Sequence, residues 1–593
     1  MKIFTTFFAL VFITAIHAQT KYQGLLWEIT GNGLTQPSYL YGTMHVSDKV
    51  AFHLGDSFYL ALQSVDVVAL ETNPENWQDD FSRSNFYRSE NQYQSTSNSP
   101  LYADDFRIRN FQNSLKNALN RDPQMINGML YRTYSRSVDF EENTFLDMYI
   151  FQIGKKYGKV LTGVEDFDGT EKLVQEAYED MANDKHKRKF NNELNKDIGT
   201  ASNDAYRRGD LDMMDSITKM EFLSDAFLEK FLYFRNNNMV KSMDSIMKRS
   251  RLFVGVGCAH LPGNRGVIKQ LRDRGYTVRA VSMGERNSIE KAKVDSTIVH
   301  LNFSKQYTSD SLIEMDLPGK LYYFPDYDGF DQHQFADMIN GAYYLVTRVK
   351  SNAALFGKNE SYILSQLDSI LYENISGKVL QKNPIKKGSY LGYDIITRTT
   401  RGDLNRYQIL ITPLEIVIFK MGGNGNFIYQ EEANKFFKSI RFNNPTLSLK
   451  PTPAVYDSQH SYNVRFPSKP IQLSVIDNDT RFDENFISMG NDGNTYLMMR
   501  KSFYNYRFLE EDTTELNLMN EGFNSSFKNI KKESKRVYGS YANFPTLEIW
   551  YRNTDKSQLR VRYIKQGINY YILAARFKNE NQEVSDFFQS FKL

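Results

Sequence analysis

Two histidines in this chain stand in the same local frame, Gly42-Thr43-Met44-His45 and Gly257-Cys258-Ala259-His260. Histidine is scarce, 8 in all with one at the N-terminus just after an apolar run, so chance supplies roughly 0.4 such matches and the count alone decides little. The context decides more. Each motif follows an apolar run of strand type, and its glycine permits a sharp exit that folds the next residues over the strand end. Two acids close two further runs: Glu71 ends Val67-Val68-Ala69-Leu70, and Glu165 ends Val160-Leu161-Thr162-Gly163-Val164. Two imidazoles plus a carboxylate, with positions left open, suit a divalent metal that polarises a carbonyl or activates water. Asp48, Glu75 and Asp166 are reserves close by in sequence. Glu165 also has a plainer reading as a helix N-cap or ion-pair partner. Cys258 lies two residues from His260, a spacing that does not bring a nucleophile against its base, and reads as a small buried side chain.

The elements that must position these groups are legible as four buried parallel strands: Ser38 to Gly42, Asp66 to Glu71, Lys159 to Glu165 and Leu252 to Gly257. Between them, residues 104–157 and 171–249 carry apolar residues at helical spacing, with Met148, Ile150, Phe151 and Ile153 on or near one face. Alternating strands and helices indicate an α/β domain over residues 22–283 with a largely parallel central sheet. It closes with a loop, a helix from Gly266 to Arg274 and a strand after Gly275. In such a sheet ligands bind outside the carboxyl ends of the strands, which is where His45, Glu71, Glu165 and His260 all fall. The polar stretch from Trp77 to Pro100 is expected to be a mobile surface loop.

Beyond about Lys291 the texture changes to strands and turns, and a repeat emerges. Phe436-Phe437-Lys438-Ser439-Ile440-Arg441-Phe442 is echoed by Phe587-Phe588-Gln589-Ser590-Phe591-Lys592-Leu593, and Tyr344-Leu345-Val346-Thr347-Arg348 by Tyr496-Leu497-Met498-Met499-Arg500. The offsets, 587 − 436 = 151 and 496 − 344 = 152, agree. They imply two tandem α+β modules, residues 295–445 and 453–593, each with a helical stretch and then strands (Ile409 to Phe419, Leu559 to Phe577). The glycine-rich Met421-to-Asn426 segment reads as a hairpin turn rather than a phosphate loop. Lys185-to-Lys189 and Lys531-Lys532 read as solvated helix faces.

Composition bounds the function classes. Lys+Arg 73 against Asp+Glu 70 leaves +3, too balanced for nucleic acid binding to be the main task. One cysteine excludes an internal disulfide framework and any multi-cysteine metal site. An aromatic content of 14% favours packed β structure over disorder. The N-terminus, with Lys2, an apolar run from Ile3 to Ile16 and then His17-Ala18-Gln19, reads as a signal peptide over residues 1–18. No later run reaches 18 apolar residues, so the expected mature chain is exported, periplasmic or extracellular, with no transmembrane anchor.

The ordered blocks Leu26-Trp27-Glu28, Tyr39-Leu40-Tyr41-Gly42-Thr43-Met44-His45-Val46, Val67-to-Glu71, Leu146-Asp147, Gly158-Lys159-Val160, Gly163-Val164-Glu165, Arg208-Gly209-Asp210, Arg235-Asn236 and Phe253-to-Gly263 resemble the TraB/PrgY/GumN family, which includes the animal Tiki proteins. The resemblance covers about Tyr22 to Met283 and leaves the C-terminal half unmatched. It implies an α/β domain with two Gly-x-x-His motifs and a glutamate at its site. In the Tiki branch it implies metal-dependent proteolysis, with manganese or cobalt ahead of zinc, acting on a secreted signalling protein. Carried over residue by residue, His45, Glu71 and His260 match the core site, while Glu165, Arg235 and Asn236 match family motifs. Cys258 departs from the small residue expected at its place.

Three readings result. The first is an exported metal-dependent hydrolase, a peptidase acting on a peptide or protein substrate. Its metal would be held by His45, Glu71 and His260, with Glu71 as third ligand or general base. Glu165 or Arg235 would steady charge or orient a ligand. The second is a non-catalytic peptide- or signal-factor-binding protein using the same pocket. The third assigns the work to the C-terminal modules as partner-docking units.

Overall fold

The computed structural model describes residues 22–83, 103–108, 110–120, 124–130, 144–185, 198–221, 224–285, 289–324, 330–443, 454–458, 462–478, 481–490, 492–503 and 511–593. The expected signal peptide, residues 84–100 of the polar stretch and His186 to Lys189 lie outside these. The chain divides into two compact units, Met1–Glu75 with Val138–Ile298, and Asn76–Ser137 with Val299–Leu593.

The first unit is α/β. Its six strands are β1 (Leu26–Gly31), β2 (Ser38–Thr43), β3 (Val67–Leu70), β4 (Val160–Gly163), β5 (Leu252–Gly257) and β6 (Tyr276–Val281). They form one sheet in the order β4-β3-β5-β2-β1-β6. The four middle-to-edge strands β4, β3, β5 and β2 are parallel, whereas β1 pairs antiparallel with both β2 and β6. The apolar runs read from the sequence are these parallel strands, and Val68, Ala69, Leu70, Leu252, Phe253, Val254 and Leu40 are buried because helices cover them. The Leu146–Lys156 helix supplies one such cover, burying Leu146, Met148, Ile150, Phe151 and Ile153. At Gly154 a Cβ would stand 3.1 Å from Leu161 and 3.3 Å from Val68, so the helix rides close on β3 and β4. The parallel strands end at Thr43, Leu70, Gly163 and Gly257, a single sheet edge.

The second unit is antiparallel and β-rich. Its first module contains β7 (Ser304–Tyr307), β8 (Ile313–Leu317), β9 (Tyr322–Phe324), β10 (Phe330–Asp337), β11 (Ala342–Lys350), β12 (Lys378–Lys387), β13 (Tyr390–Arg398), β14 (Leu404–Ile411), β15 (Glu415–Gly422) and β16 (Arg441–Phe442). Its second contains β17 (Ala454–Ser458), β18 (Tyr462–Phe466), β19 (Ile471–Asn478), β20 (Arg481–Met489), β21 (Thr495–Phe503), β22 (Ile530–Tyr541), β23 (Phe544–Asn553), β24 (Gln558–Gln566) and β25 (Asn569–Phe577). The large sheets run β12-β13-β14-β15-β11-β10-β9 and β22-β23-β24-β25-β21-β20-β19, the same topology twice. Each module inserts a helix after its second central strand (Glu360–Asn374, Asp512–Ser525) and ends on a short one (Glu431–Ser439, Gln582–Ser590). The echoed Phe436-Phe437 and Phe587-Phe588 pairs lie on those last helices and point into the core of their own module.

Three local expectations change. Trp77–Arg83, the start of the polar stretch, is a helix rather than loop, and Gln78 clamps the backbone of Ala336 through both its amide atoms. The glycine-rich segment after β15 leads into a 3-10 turn, Phe427–Tyr429, and then the Glu431–Ser439 helix, so it is a strand-to-helix connection and not a hairpin. Lys531-Lys532 sits on strand β22, where edge position rather than helical amphipathicity exposes it.

Residues 103–108, 110–120 and 124–130 also belong to the second unit. Phe106, wholly buried, joins Met519, Phe523 and Tyr570 in the second module, and Phe111, Leu115 and Leu119 of the Phe111–Asn120 helix join Ile363, Leu367 and Ile370 in the first. Burying a side chain of this size stabilises by about 1.5–3 kcal/mol, so this stretch is part of the modules' core.

Candidate functional site

The chain leaves β2 at Thr43 and presents His45, whose ring is 58% exposed. Its Nδ1 hydrogen bonds to Asp147 Oδ2 at 2.7 Å, and Thr43 Oγ1 donates to the other carboxylate oxygen, also at 2.7 Å. Asp147 sits in the first turn of the Leu146–Lys156 helix, an N-terminal position that favours negative charge. The aspartate therefore holds His45 by Nδ1 and turns Nε2 outward. Asp147 pushes the His45 pKa up to about 9, against the opposing effect of burial, with the imidazole–carboxylate hydrogen bond and the more distant Glu71 adding to the rise.

His260 is anchored in the same manner by a different residue. It lies in the short turn after β5 and is buried, with Nδ1 2.6 Å from Asn236 Oδ1. Asn236 Nδ2 donates to the Arg265 carbonyl at 3.0 Å, which fixes the amide so that its oxygen faces the imidazole. Nδ1 of His260 thus carries the hydrogen and Nε2 the lone pair. Burial pushes its pKa down to about 4, so the ring is neutral at pH 7.

Glu71 comes directly after β3. Its Oε1 accepts the Gly257 amide at 2.8 Å and lies 3.8 Å from His260 Nε2, and its Oε2 accepts Arg235 Nη2 at 2.7 Å. Burial would raise this carboxyl, but the facing His260, Arg235 and His45 and the Gly257 amide together hold it well below the usual range. Arg235 also forks onto Glu165, with Nη2 and Nε at 2.8 and 3.0 Å from Oε2. One buried guanidinium thus serves two carboxylates, and the pair splits: burial pushes Glu165 up to about 7, despite Arg235. Arg235 and Asn236 begin the Arg235–Met247 helix immediately after a π-helical turn, Glu229–Phe234. Such a turn adds a residue and re-aims the side chains beyond it, here toward Glu71 and His260.

Two glycines make the approach possible. A Cβ on Gly257 would lie 3.3 Å from Glu71 Oε1, 3.5 Å from His260 Cδ2 and 3.8 Å from His45 Nε2, so all three groups converge over this one residue. A Cβ on Gly42 would lie 3.1 Å from Cys258 Cβ, and Tyr206 donates to the Gly42 carbonyl at 2.9 Å. Cys258 itself is buried and free, with its thiol pushed up to about 12 by burial, a packing residue and no nucleophile.

The structure therefore gathers His45, Glu71, His260 and Arg235. Glu165 reaches the centre only through Arg235. Two of the reserves serve elsewhere: Asp166 caps the Phe167–Asn183 helix through Gly169 N, and Glu75 pairs with Lys155. The residue given no role from the sequence was Asp147, which there stood only in the family block Leu146-Asp147 and here orients His45. The donor set fits a divalent ion in chemistry. Both histidines are pinned at Nδ1 by an oxygen, the outer-shell arrangement that frees Nε2 for a metal, and a carboxylate oxygen lies beside them. As the side chains stand, no group of three or more His, Cys, Asp or Glu among the described residues closes into a metal cage.

Residues 25–280 match the model of the TraB/PrgY/gumN family, and no family model match extends into the C-terminal half. No curated protein matches the chain. Among solved structures, one described as a candidate thioesterase II from Thermobifida fusca YX is 9% identical over 40% of this chain and 92% of that one, with a TM-score of 0.08, a likeness that carries no argument.

Proposed function

We propose that the α/β unit, most of which lies within the residues 25–280 that match the TraB/PrgY/gumN model, is an exported metal-dependent hydrolase, a peptidase acting on a peptide or protein substrate. The observation that carries this reading is the convergence over Gly257 of two imidazoles, each pinned through Nδ1, and one ionised carboxylate. His45 Nε2, His260 Nε2 and Glu71 Oε1 would hold the ion. Bound there, a divalent metal supplies Lewis acidity toward an amide carbonyl and a lowered pKa for water.

The chain's own residues have separable parts in that chemistry. Glu71 is held so acidic that it is a poor proton acceptor, which favours ligation over general-base work. Arg235 fixes the direction of its carboxylate. Glu165, balanced near neutrality and almost wholly buried, holds the guanidinium of Arg235 in place rather than meeting substrate. Asp147 and Asn236 orient the imidazoles, and Asp147 keeps a proton on His45 until that proton is displaced. Among the described residues no helix is long and apolar enough to cross a membrane, which is compatible with export.

The test is metal binding by the full chain, stripped with chelator and titrated with Mn²⁺, Co²⁺ and Zn²⁺ beside His45→Ala and His260→Ala, and then a peptide-cleavage screen. Tight binding lost in both variants, with cleavage that needs the metal, is the expected result. Equal weak binding in all three proteins would overturn the metal site. Tight binding with no cleavage of any peptide would make the protein a binder.

A further inference from the structure

Each large sheet has two edges, β12 and β9 in the first module and β22 and β19 in the second, and among the described residues no further strand pairs with the outer side of β12 or β22. An unpaired edge exposes a row of backbone donors and acceptors to any passing strand. β22 is 12 residues long and exposed along nearly its whole length. Its hairpin with β23 closes through Ala542 and Asn543 at φ 49° and 67°, the left-handed pair that a tight two-residue turn requires.

The side chains on this edge are chemically one-sided. β22 carries Lys531, Lys532, Lys535 and Arg536 against a single acid, Glu533, and Glu533 is spent on Arg536 at 2.9 Å. Lys532 stands directly opposite Arg552 of β23. Like charges in facing positions of a sheet oppose folding, so this pair is not there for stability. Lys531, Lys532, Lys535 and Arg552 make no ion pair with any described residue, and all four are exposed. Beside them Trp550 is half-buried, with Lys535 Nζ 4.6 Å and Arg560 Cζ 5.1 Å from its ring centre, and Val537 is 41% exposed. β12 repeats the theme with Lys378, Lys382, Lys386 and Lys387 and no acid.

We propose that β22 is a docking edge for an extended acidic polypeptide, which adds to the sheet as a further antiparallel or parallel strand. Backbone pairing gives such a ligand its register, and alternate side chains then meet one face. Along that face the chain offers Lys535, Val537 and Gly539 at a spacing of two, with Lys532 beyond the irregularity between Glu533 and Lys535. An acidic residue opposite Lys535 and an apolar one opposite Val537 complete the pattern. The same lysines set β22 against β22 of a second copy, because pairing the two edges would bring cation against cation. A neutral strand gains the backbone ladder and no charge, so acidity is the selective element.

The test uses the full chain and a short fluorescein-labelled peptide of alternating glutamate and valine, read by fluorescence anisotropy. Binding should weaken with added salt. The triple variant Lys532→Glu, Lys535→Glu, Arg552→Glu should bind at least roughly tenfold more weakly, since three exposed charge pairs are lost. All three residues are exposed, and an unchanged circular dichroism spectrum confirms that the variant folds. A peptide of the same charge with alternate backbone nitrogens methylated separates strand addition from charge alone: its failure to bind supports the proposal. Equal binding by the methylated peptide, or by an acidic polysaccharide of similar length, would overturn strand addition and leave an unspecific polyanion surface. No binding by the wild-type chain at low salt would overturn the proposal outright.

Discussion

Replacing Arg235 by methionine should unlock the candidate site in a way that depends on pH. Arg235 is 6% exposed and is shared by Glu71, 18% exposed, and Glu165, 4% exposed. Methionine keeps much of the volume but removes the one guanidinium the two carboxyls share, leaving Glu165 without its cation and Glu71 with the histidines and the Gly257 amide alone. Breaking a buried pair by removing one partner costs about 3–5 kcal/mol, and the two carboxyls also repel. The sign with pH comes from linkage. In the native protein Glu71 titrates below its unfolded value, so its contribution is present above about pH 4.5 and fades as pH falls. Glu165 already titrates near 7 through burial, so its contribution is full below about 4.5 and declines as pH rises through 7. Without Arg235 Glu165 loses the cation that opposes its burial, and Glu71 loses one of the groups that hold it down, so both titrate higher. The deficit should therefore be largest above pH 7 and shrink toward pH 4.5, where protonated carboxyls need no guanidinium. Urea unfolding at pH 7.5 and pH 5 checks this, read by Trp27, which is buried in the α/β unit, with Trp77 and Trp550 changed to phenylalanine. A loss below about 1 kcal/mol, or an equal loss at both pH values, would refute the view that Arg235 is what holds this pair of acids.

Asp147→Asn should return the His45 titration in chelator-treated protein from about 9 to near its ordinary 6.5, as tracked by NMR of the imidazole. That rise would correspond to about 3.4 kcal/mol; with the ring 58% exposed, solvent screening cuts it to about 1–2 kcal/mol. The stabilisation is present below pH 6.5 and gone above about 9, so the variant should be weakest at low pH and indistinguishable from wild type at pH 9.5. Because a ligating His45 must be neutral, metal affinity of the wild type should climb between pH 7 and 9, and the climb should move to lower pH in Asp147→Asn. Phe106→Ala should cost the second module about 3–5 kcal/mol, seen as earlier urea unfolding of the full chain by Trp550 fluorescence. Glu415→Gln should destabilise the first module by about 3–5 kcal/mol, because Glu415 binds Arg348 at 2.7 Å and Lys350 at 2.6 Å, all three buried; an unchanged thermal transition would contradict the role given to this cluster.

The parallel strands and the residues at their ends were legible because burial on both faces writes continuous apolar runs, and because the chain must turn just after each run. His45, Glu71, Glu165 and His260 come after such runs, so their placement on one sheet edge needs only parallel pairing. What was not legible is how they are held. Asp147 is 102 residues from His45 and Asn236 is 24 from His260, and no local periodicity links them. The split between Glu71 and Glu165 is a property of a shared Arg235 and of unequal burial, quantities that exist only after folding. Trp77–Arg83 was obscured by its polar surroundings, since its helix is fixed by tertiary contacts such as Gln78 with Ala336 rather than by amphipathic spacing.

The repeat carries its own argument about what the modules are kept for. Both use the same strand order, the same two helix insertions and a phenylalanine pair on the last helix. Their interiors have nevertheless diverged in charge. Arg348 of β11 is met by Glu415 and Asp310, whereas Arg500, its counterpart on β21, lies over the Phe482 and Tyr571 rings at 4.7 and 6.0 Å and, among the described residues, hydrogen bonds to Asn569 Oδ1 at 3.4 Å. The first module thus meets this buried guanidinium with carboxylates and the second with aromatic rings. The two edge strands show the opposite relation: their sequences differ, yet each carries four cations and at most one acid. Stability would have been served by neutral or mixed-charge edges. Shared one-signed edges on interiors that differ in detail are what the proposed docking edge would require of both modules. Paired docking edges on a single chain would also raise the affinity for a long acidic strand or for two such strands on one partner, through effective concentration rather than new contacts.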